Sequence, residues 1–429
     1  MAKDTKVNKI KNEEFKIWKK SVPALYQHIS YLKPRFDTHE TDLAHFEKRI
    51  AFSHKVVSEE KKGLLTAEVL YSQESDIYKV DCELPLGLSD EANENELIDP
   101  DYESPFKGAE TKPLSASWNY QGETIIKFQQ MASKENSLVA LASNGSLAWF
   151  NENVKVPVHI MQEIMGPGTS FSCIHSLRSP NKLAVCDFAL SPDLNTVVKS
   201  QSNGKEGESI VKIVDNAEDP GALCSRINVP SAVTHSVRFL NNHLFATCSN
   251  DNIIRFWDIR TDTELWSLND PNDGKLTTID TSSLVGNLFA SGSDTGVIKL
   301  WDLRAVLSKQ GELVSFYHPK EDPVVDLQFS PTSSSGFLSV GKMGSVYHWD
   351  SEYFFENDTV DDDDLQTQCL KFLHTGGSRR SVGPNGKRNM VAWHPTIDAL
   401  VGTVDNDCSI TLYKPFTGRE EEEQAAEGK

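Results

Sequence analysis

Along most of the chain apolar and polar residues alternate, and clusters of Ser, Asn, Asp and Gly interrupt the alternation at short intervals. A period of two bounded by turn chemistry predicts short strands rather than helices. Two consecutive stretches carry the pattern in its clearest form, Leu244-Phe-Ala-Thr-Cys-Ser-Asn-Asp-Asn-Ile-Ile-Arg-Phe-Trp-Asp-Ile-Arg260 and Leu288-Phe-Ala-Ser-Gly-Ser-Asp-Thr-Gly-Val-Ile-Lys-Leu-Trp-Asp-Leu-Arg304. Each is a β-rich run, a tight turn and an alternating strand closed by Trp-Asp; Trp257 and Trp301 stand 44 residues apart. One segment departs from this pattern. Phe15, Trp18, Val22, Leu25, Ile29 and Leu32 are spaced by threes and fours, which predicts a helix over 12–34 with Asn12 as its N-cap and a kink at Pro23.

The repeat length is that of a four-stranded propeller blade, and weaker copies fill the rest of the chain. Arg49–Ser53, Leu64–Tyr71 and Ile77–Leu84 read as a first blade and 118–151 as a second. A third, without the tryptophan, opens at Asp187 and closes at Asp215. The Trp257 and Trp301 units are the fourth and fifth blades, a sixth ends at Trp349-Asp350, and a seventh runs from Val391 to Lys414. The expected fold is therefore all-β: a seven-bladed WD40 β-propeller over 36–416, preceded by a basic disordered start (1–11) and the helix, and followed by an acidic disordered tail (417–429). Asp350 to Lys414 is 64 residues, longer than a blade requires, so an insertion is expected between blades six and seven. Insertions on rigid scaffolds are where binding tends to reside.

Charge narrows the choice of partner. The 429 residues carry a net charge of −19. Residues 89–105 hold seven acids and 351–364 lie in an equally acidic block, with no Lys or Arg in either. Such fields repel phosphate, so direct DNA binding is not expected, and they favour a basic partner. No apolar run is long enough for a membrane helix. The seven cysteines are scattered without a Cys-x-x-Cys pair, which reads as reduced structural thiols rather than zinc or redox chemistry.

No catalytic constellation is legible: Gly-x-Ser-x-Gly, a phosphate-binding Gly-Lys-Ser/Thr loop and His-Glu-x-x-His are all missing from the sequence. Gly292 and Gly296 read as turn glycines, and His348 and His394 as packed residues rather than metal ligands. Consecutive aspartates at 361–364 lack the alternating ligands of a calcium loop. No metal, no cofactor and no enzyme activity are expected, and the propeller reads as a binding platform.

The N-terminal segment Glu13-Glu-Phe-Lys-Ile-Trp-Lys-Lys-Ser-Val-Pro-Ala-Leu-Tyr26 resembles the histone-binding segment of the retinoblastoma-binding, Msi-type WD-repeat family. Lys212-Ile-Val-Asp-Asn216, Gly376-Gly-Ser-Arg-Arg-Ser381 and Gly402-Thr-Val-Asp405 are similar to the fungal small subunit of chromatin assembly factor 1. The resemblance implies a nuclear, non-catalytic subunit that binds histone H4, as H3–H4, and the larger subunits of that factor during replication- and repair-coupled nucleosome assembly. It implies that the first helix of H4 lies in a groove formed by Phe15, Trp18, Leu25, Tyr26, Leu370, Phe372 and Leu373, steered by an acidic rim of Asp361, Asp362, Asp363 and Asp364. Alternatively Trp18 and Leu25 only fasten the helix to the propeller. Departures from the family pattern, Lys33-Pro-Arg-Phe-Asp37 and the lack of Gly-His blade openings, argue against capture of the H3 tail. Two further readings stay open: an accessory subunit of a type B histone acetyltransferase, and a substrate receptor of a cullin-type ubiquitin ligase. The second rests on the Trp-Asp-x-Arg boxes Trp257, Asp258, Arg260 and Trp301, Asp302, Arg304.

Overall fold

The computed structural model describes residues 24–35, 48–59, 63–88, 106–113, 115–131, 137–163, 171–172, 184–202, 208–230, 232–261, 263–270, 274–308, 311–356, 362–375 and 390–416. They form seven antiparallel sheets arranged as the blades of a propeller. Blade 1 is Lys48–Glu59, Leu64–Gln73, Asp76–Pro85 and Trp118–Asn119; blade 2 is Ile125–Met131, Ser137–Ala142, Leu147–Phe150 and His159–Met161. Blade 3 is Ala184–Leu190, Thr196–Ser202, Glu208–Asp215 and Leu223–Pro230, with Phe171–Ser172 added in parallel. Blades 4 and 5 run Thr234–Phe239 to Glu264–Asn269 and Leu276–Thr281 to Val314–Tyr317. Blade 6 is Val324–Phe329, Gly336–Gly341, Val346–Asp350 and Leu370–His374. Successive first strands are neighbours around the central axis.

Blade 7 draws on both ends of the chain. Val391–Trp393, Val401–Val404 and Ile410–Pro415 are followed in the sheet by Tyr26–Arg35, antiparallel to Ile410–Pro415. Phe106–Pro113 adds a fifth strand in parallel. The ring is thus closed by hydrogen bonds between the first and last described strands. This corrects the helix expected over 12–34 in its later part: residues 26–34 are strand, Ala24 and Leu25 are helical, and 12–23 lie outside the described residues. The propeller consequently begins at Tyr26 rather than 36.

The misreading has a physical cause. A bulge between Tyr26 and His28 places Tyr26 on the same face as Ile29, and both pack against blade 6 residues such as Leu338 and Val346. Leu32 faces the other way, into the core shared with blade 1. A strand buried on both faces and bulged once spaces its large apolar residues by three, as a helix does.

The Trp-Asp units are explained by packing. Trp257, Trp301 and Trp349 are buried and stack on Phe245, Phe289 and Phe337 of the preceding strand, with centroids 6.4, 6.2 and 6.1 Å apart. Their indole N–H groups donate to Thr247 Oγ1, Ser291 Oγ and Ser339 Oγ at 2.9, 2.9 and 2.8 Å. In blade 6 His318 Nε2 also meets Ser339 Oγ, at 2.6 Å, and His318 Nδ1 meets the carbonyl of Asp322 at 2.8 Å. Burial drives the His318 pKa down to about 4. No Gly-His pair announces this histidine in the sequence.

Around the axis the first strands exchange charge. Lys127 of blade 2 meets Asp187 of blade 3 at 2.6 Å; Arg238 of blade 4 bridges Asp187 at 3.2 Å and Asp280 of blade 5 at 2.9 Å. Asp280 in turn accepts from the backbone N–H of Phe329 in blade 6 at 2.8 Å. Burial works against the charge on Arg238, but Asp187 and Asp280 outweigh it and raise its pKa. Gly296 sits at φ +84° in the turn between two strands of blade 5, as expected of a turn glycine. Gly292 does not: it lies within the strand Leu288–Ser293, where a Cβ would stand 2.7 Å from Val324 of blade 6.

Candidate functional site

The residues assigned to a groove converge only in part, at the junction of blades 6 and 7. Tyr26 is buried and its hydroxyl lies 2.9 Å from His374 Nδ1. Its ring meets Phe372 edge-on at 5.1 Å and Tyr413 at 5.9 Å. His374 stacks on Tyr413 at 4.1 Å, and the Tyr413 hydroxyl lies 2.8 Å from His348 Nε2. Burial holds the His348 pKa down to about 3, so the ring stays neutral and packed. The closing strand and its neighbour Ile410–Pro415 are therefore fastened to blade 6 by aromatic edges and one buried hydrogen bond each. His348 is packed, as the sequence suggested, whereas His374 and Tyr413 were not singled out, because their pairing joins positions remote along the chain.

Leu370 and Phe372 are separated by a bulge at Lys371, so Leu370 pairs with Trp349 and Phe372 with His348. The two side chains point to opposite faces, Leu370 into the blade 5–6 core and Phe372 towards Tyr26. Tyr26, Leu370 and Phe372 are thus chiefly packing residues. Leu25 and Leu373 differ: they are 42% and 41% exposed. The carbonyl of Leu25 accepts from the N–H of Phe416 at 3.0 Å, and Phe416, also exposed, joins them as an apolar residue the sequence did not single out. Phe15 and Trp18 lie outside the described residues.

The acidic insertion falls inside blade 6, between its third and outer strands, which refines its expected place between blades six and seven. It contains two helices, Glu352–Glu356 and Asp362–Cys369. Leu365 and Cys369, one turn apart, are buried in the blade 5–6 core. Gln366 accepts from the N–H of Tyr317 at 3.1 Å and donates to its carbonyl at 2.8 Å, standing in for a further strand at the edge of blade 5. Asp362, Asp363 and Asp364 form the first turn of this second helix, a position where the helix dipole favours acidic residues. Asp361 lies outside the described residues, as does the loop 89–105.

The Trp-Asp-x-Arg boxes have a local use. Arg260 and Arg304 are largely exposed, and each folds back on the aspartate two residues earlier, with closest contacts of 2.5 Å to Asp258 and 2.8 Å to Asp302. The Arg260 hydrogen bonds hold the Asp258 carboxyl down to about 2. His394 accepts from the N–H of Ile397 at 2.9 Å and packs on Phe52. Among the described residues no group of three or more His, Cys, Asp and Glu is placed to hold a metal ion. The cysteines at 82, 186, 224, 248, 369 and 408 are free thiols.

Seven blades, three of which close on packed Trp-Asp pairs, define a WD-repeat propeller protein, and residues 229–258 and 263–302 match the family described as WD domain, G-beta repeat. The likeness then extends along nearly the whole chain. Transcriptional modulator WTM2 of Saccharomyces cerevisiae is 48% identical over 93% of this chain and 94% of its own length. Transcriptional modulator WTM1 of the same yeast is 46% identical over 95% and 99%, and transcriptional regulatory protein UME1 is 40% identical over 96% and 95%. The chain belongs to this family of WD-repeat proteins. These relatives carry transcriptional names, not chromatin-assembly ones, which corrects the finer Msi-type assignment drawn from the N-terminal segment.

Proposed function

We propose that the protein is a nuclear, non-catalytic WD-repeat scaffold of transcriptional regulation that binds a basic amphipathic helix at the blade 6–7 junction. The helix we assign to it is the first helix of histone H4. The observation that carries this reading is a set of exposed apolar side chains on the segments that meet at the ring closure, Leu25 and Phe416 beside the closing strand and Leu373 on the outer strand of blade 6. Leu25 precedes Tyr26, Leu373 follows Phe372, Phe416 is bonded to Leu25, and the helix opened by Asp362–Asp364 leads directly into the strand bearing Leu373. An amphipathic helix lays its apolar face on such a surface, and neighbouring carboxylates pair with its lysines and arginines. The names of the yeast relatives support regulation of transcription as the setting. Membership of chromatin assembly factor is the narrower form of the same reading, distinguished by which large subunits co-purify with the full chain.

The test is anisotropy of a labelled peptide spanning the first H4 helix, titrated with the full chain at two ionic strengths. Leu25→Asp and Leu373→Asp are the informative variants, because both side chains are exposed; Phe372→Asp would disturb the blade junction itself. Each is expected to weaken binding by roughly tenfold, the equivalent of about 1.4 kcal/mol. Replacing Asp362, Asp363 and Asp364 by Asn should flatten the salt dependence. Unaltered affinity in both leucine variants, with unchanged circular dichroism, would remove the junction as the binding surface.

A further inference from the structure

A second polar site lies between blades 2 and 3, away from the blade 6–7 junction. The face that blade 3 turns towards blade 2 begins as ordinary core: Val197 and Val214, a cross-strand pair, pack with Trp149 and Leu147. One rung further the pair is Lys199 and Lys212, and the next is Gln201 and Ile210. Like charges directly opposite each other in a sheet repel, and Lys199 is wholly buried. Apolar residues would fill such a position at lower cost.

A single carboxylate neutralises the pair. Glu163, just beyond the outer strand of blade 2, meets Lys199 Nζ at 2.7 Å through Oε1, and Lys212 Nζ at 2.6 and 2.7 Å through Oε1 and Oε2. Lys199 also donates to the carbonyl of Gly145. Burial opposes ionisation of Glu163, but the two ammoniums outweigh it and hold its pKa below the usual range. Two positive charges thus face one negative charge in a protein whose net charge is −19. Gln201, on the same face and 5% exposed, has a side-chain oxygen with no hydrogen-bond partner.

We propose that this crevice is a receptor for a carboxylate side chain of an acidic protein segment, and that Glu163 is an internal occupant which such a segment displaces. The ligand is identified by the arrangement already present: Lys212 touches both oxygens of a planar carboxylate while Lys199 touches one. Displacement exchanges one carboxylate for another, so the lysines stay paired and the cost of baring Lys199 is avoided. The apolar junction at blades 6 and 7 is not involved, and either site can fail without the other.

The test uses a labelled hexaglutamate peptide and the full chain near 150 mM salt, where the general repulsion of an acidic protein is screened beyond about 8 Å. Glu163→Gln should bind the peptide roughly tenfold more tightly than the unmodified chain, and adding Lys212→Met should abolish the gain. Equal affinity of the Glu163→Gln and unmodified chains would overturn the proposal, and so would a phosphoserine peptide of equal length that bound more tightly. Should Glu163→Gln fail to fold, acetylation of Lys212 in the unmodified chain replaces it. Protection by the peptide supports the receptor, and equal acetylation with and without peptide overturns it.

Discussion

Substituting Leu25, Ile29 and Leu32 one at a time by alanine separates a closing strand from a docked helix. On a helix the three side chains share one face and would lose similar stability. In the structure they share no face: Ile29 and Leu32 lie on opposite faces of the strand Tyr26–Arg35, and Leu25 precedes it. Ile29 is fully buried against blade 6, and Leu32 is 6% exposed against blade 1, whereas Leu25 stands 42% exposed at the entrance. Ile29→Ala removes all of the side chain beyond Cβ. At about 0.8 kcal/mol per buried carbon this loses roughly 2.4 kcal/mol of transfer energy. The cavity left among Val325, Leu338, Val346 and Tyr413 adds to that, for a total of roughly 3–4 kcal/mol. Leu32→Ala should cost a comparable amount, and Leu25→Ala less than about 1 kcal/mol. Urea denaturation of the three variants, followed by tryptophan fluorescence, measures the differences. A cost for Leu25→Ala equal to that for Ile29→Ala would refute the strand reading of ring closure.

Three other outcomes follow from the same packing. Ser339→Ala removes the acceptor of Trp349 and a partner of His318 at once, and should lower stability by about 1–3 kcal/mol in the same assay. Lys127→Met takes one cation from the axial chain but leaves Asp187 paired with Arg238, and denaturation should register a loss of about 1.5–3 kcal/mol. His318, His348 and His394 have folded pKa values of about 4, 3 and 4, below the ordinary 6.5. Between these values the unfolded chain binds more protons than the folded one, so stability contributed by the neutral rings is complete above pH 6.5. It is lost progressively as pH falls towards 4. Melting temperatures recorded across that window should drop steeply, and His348→Gln should reduce the slope.

The architecture is written in local pattern. Alternation, turn residues and the Trp257–Trp301 spacing are local signals, and each strand reports its own burial through them. Even the third blade was recovered without its tryptophan. Blade 2 was the least well bounded, because Trp118–Asn119 belongs to the outer edge of blade 1 and the true outer strand is His159–Met161. Only the tertiary structure decided how the ring closes and what surface that closure leaves. Tyr26–Arg35 is a strand because Ile410–Pro415 and Phe106–Pro113 flank it, and no feature within 26–35 encodes partners from the far end of the chain and from the connection inside blade 1. The same limit applies to the site residues. Periodicity picked out Leu25, and the family resemblance alone pointed to Tyr26, Phe372 and Leu373; which of them serve packing depends on two bulges and on a neighbouring blade. The pairings of Glu163 with two lysines and of Tyr26 with His374 are set by blade-to-blade contact, a long-range geometry that local pattern does not carry.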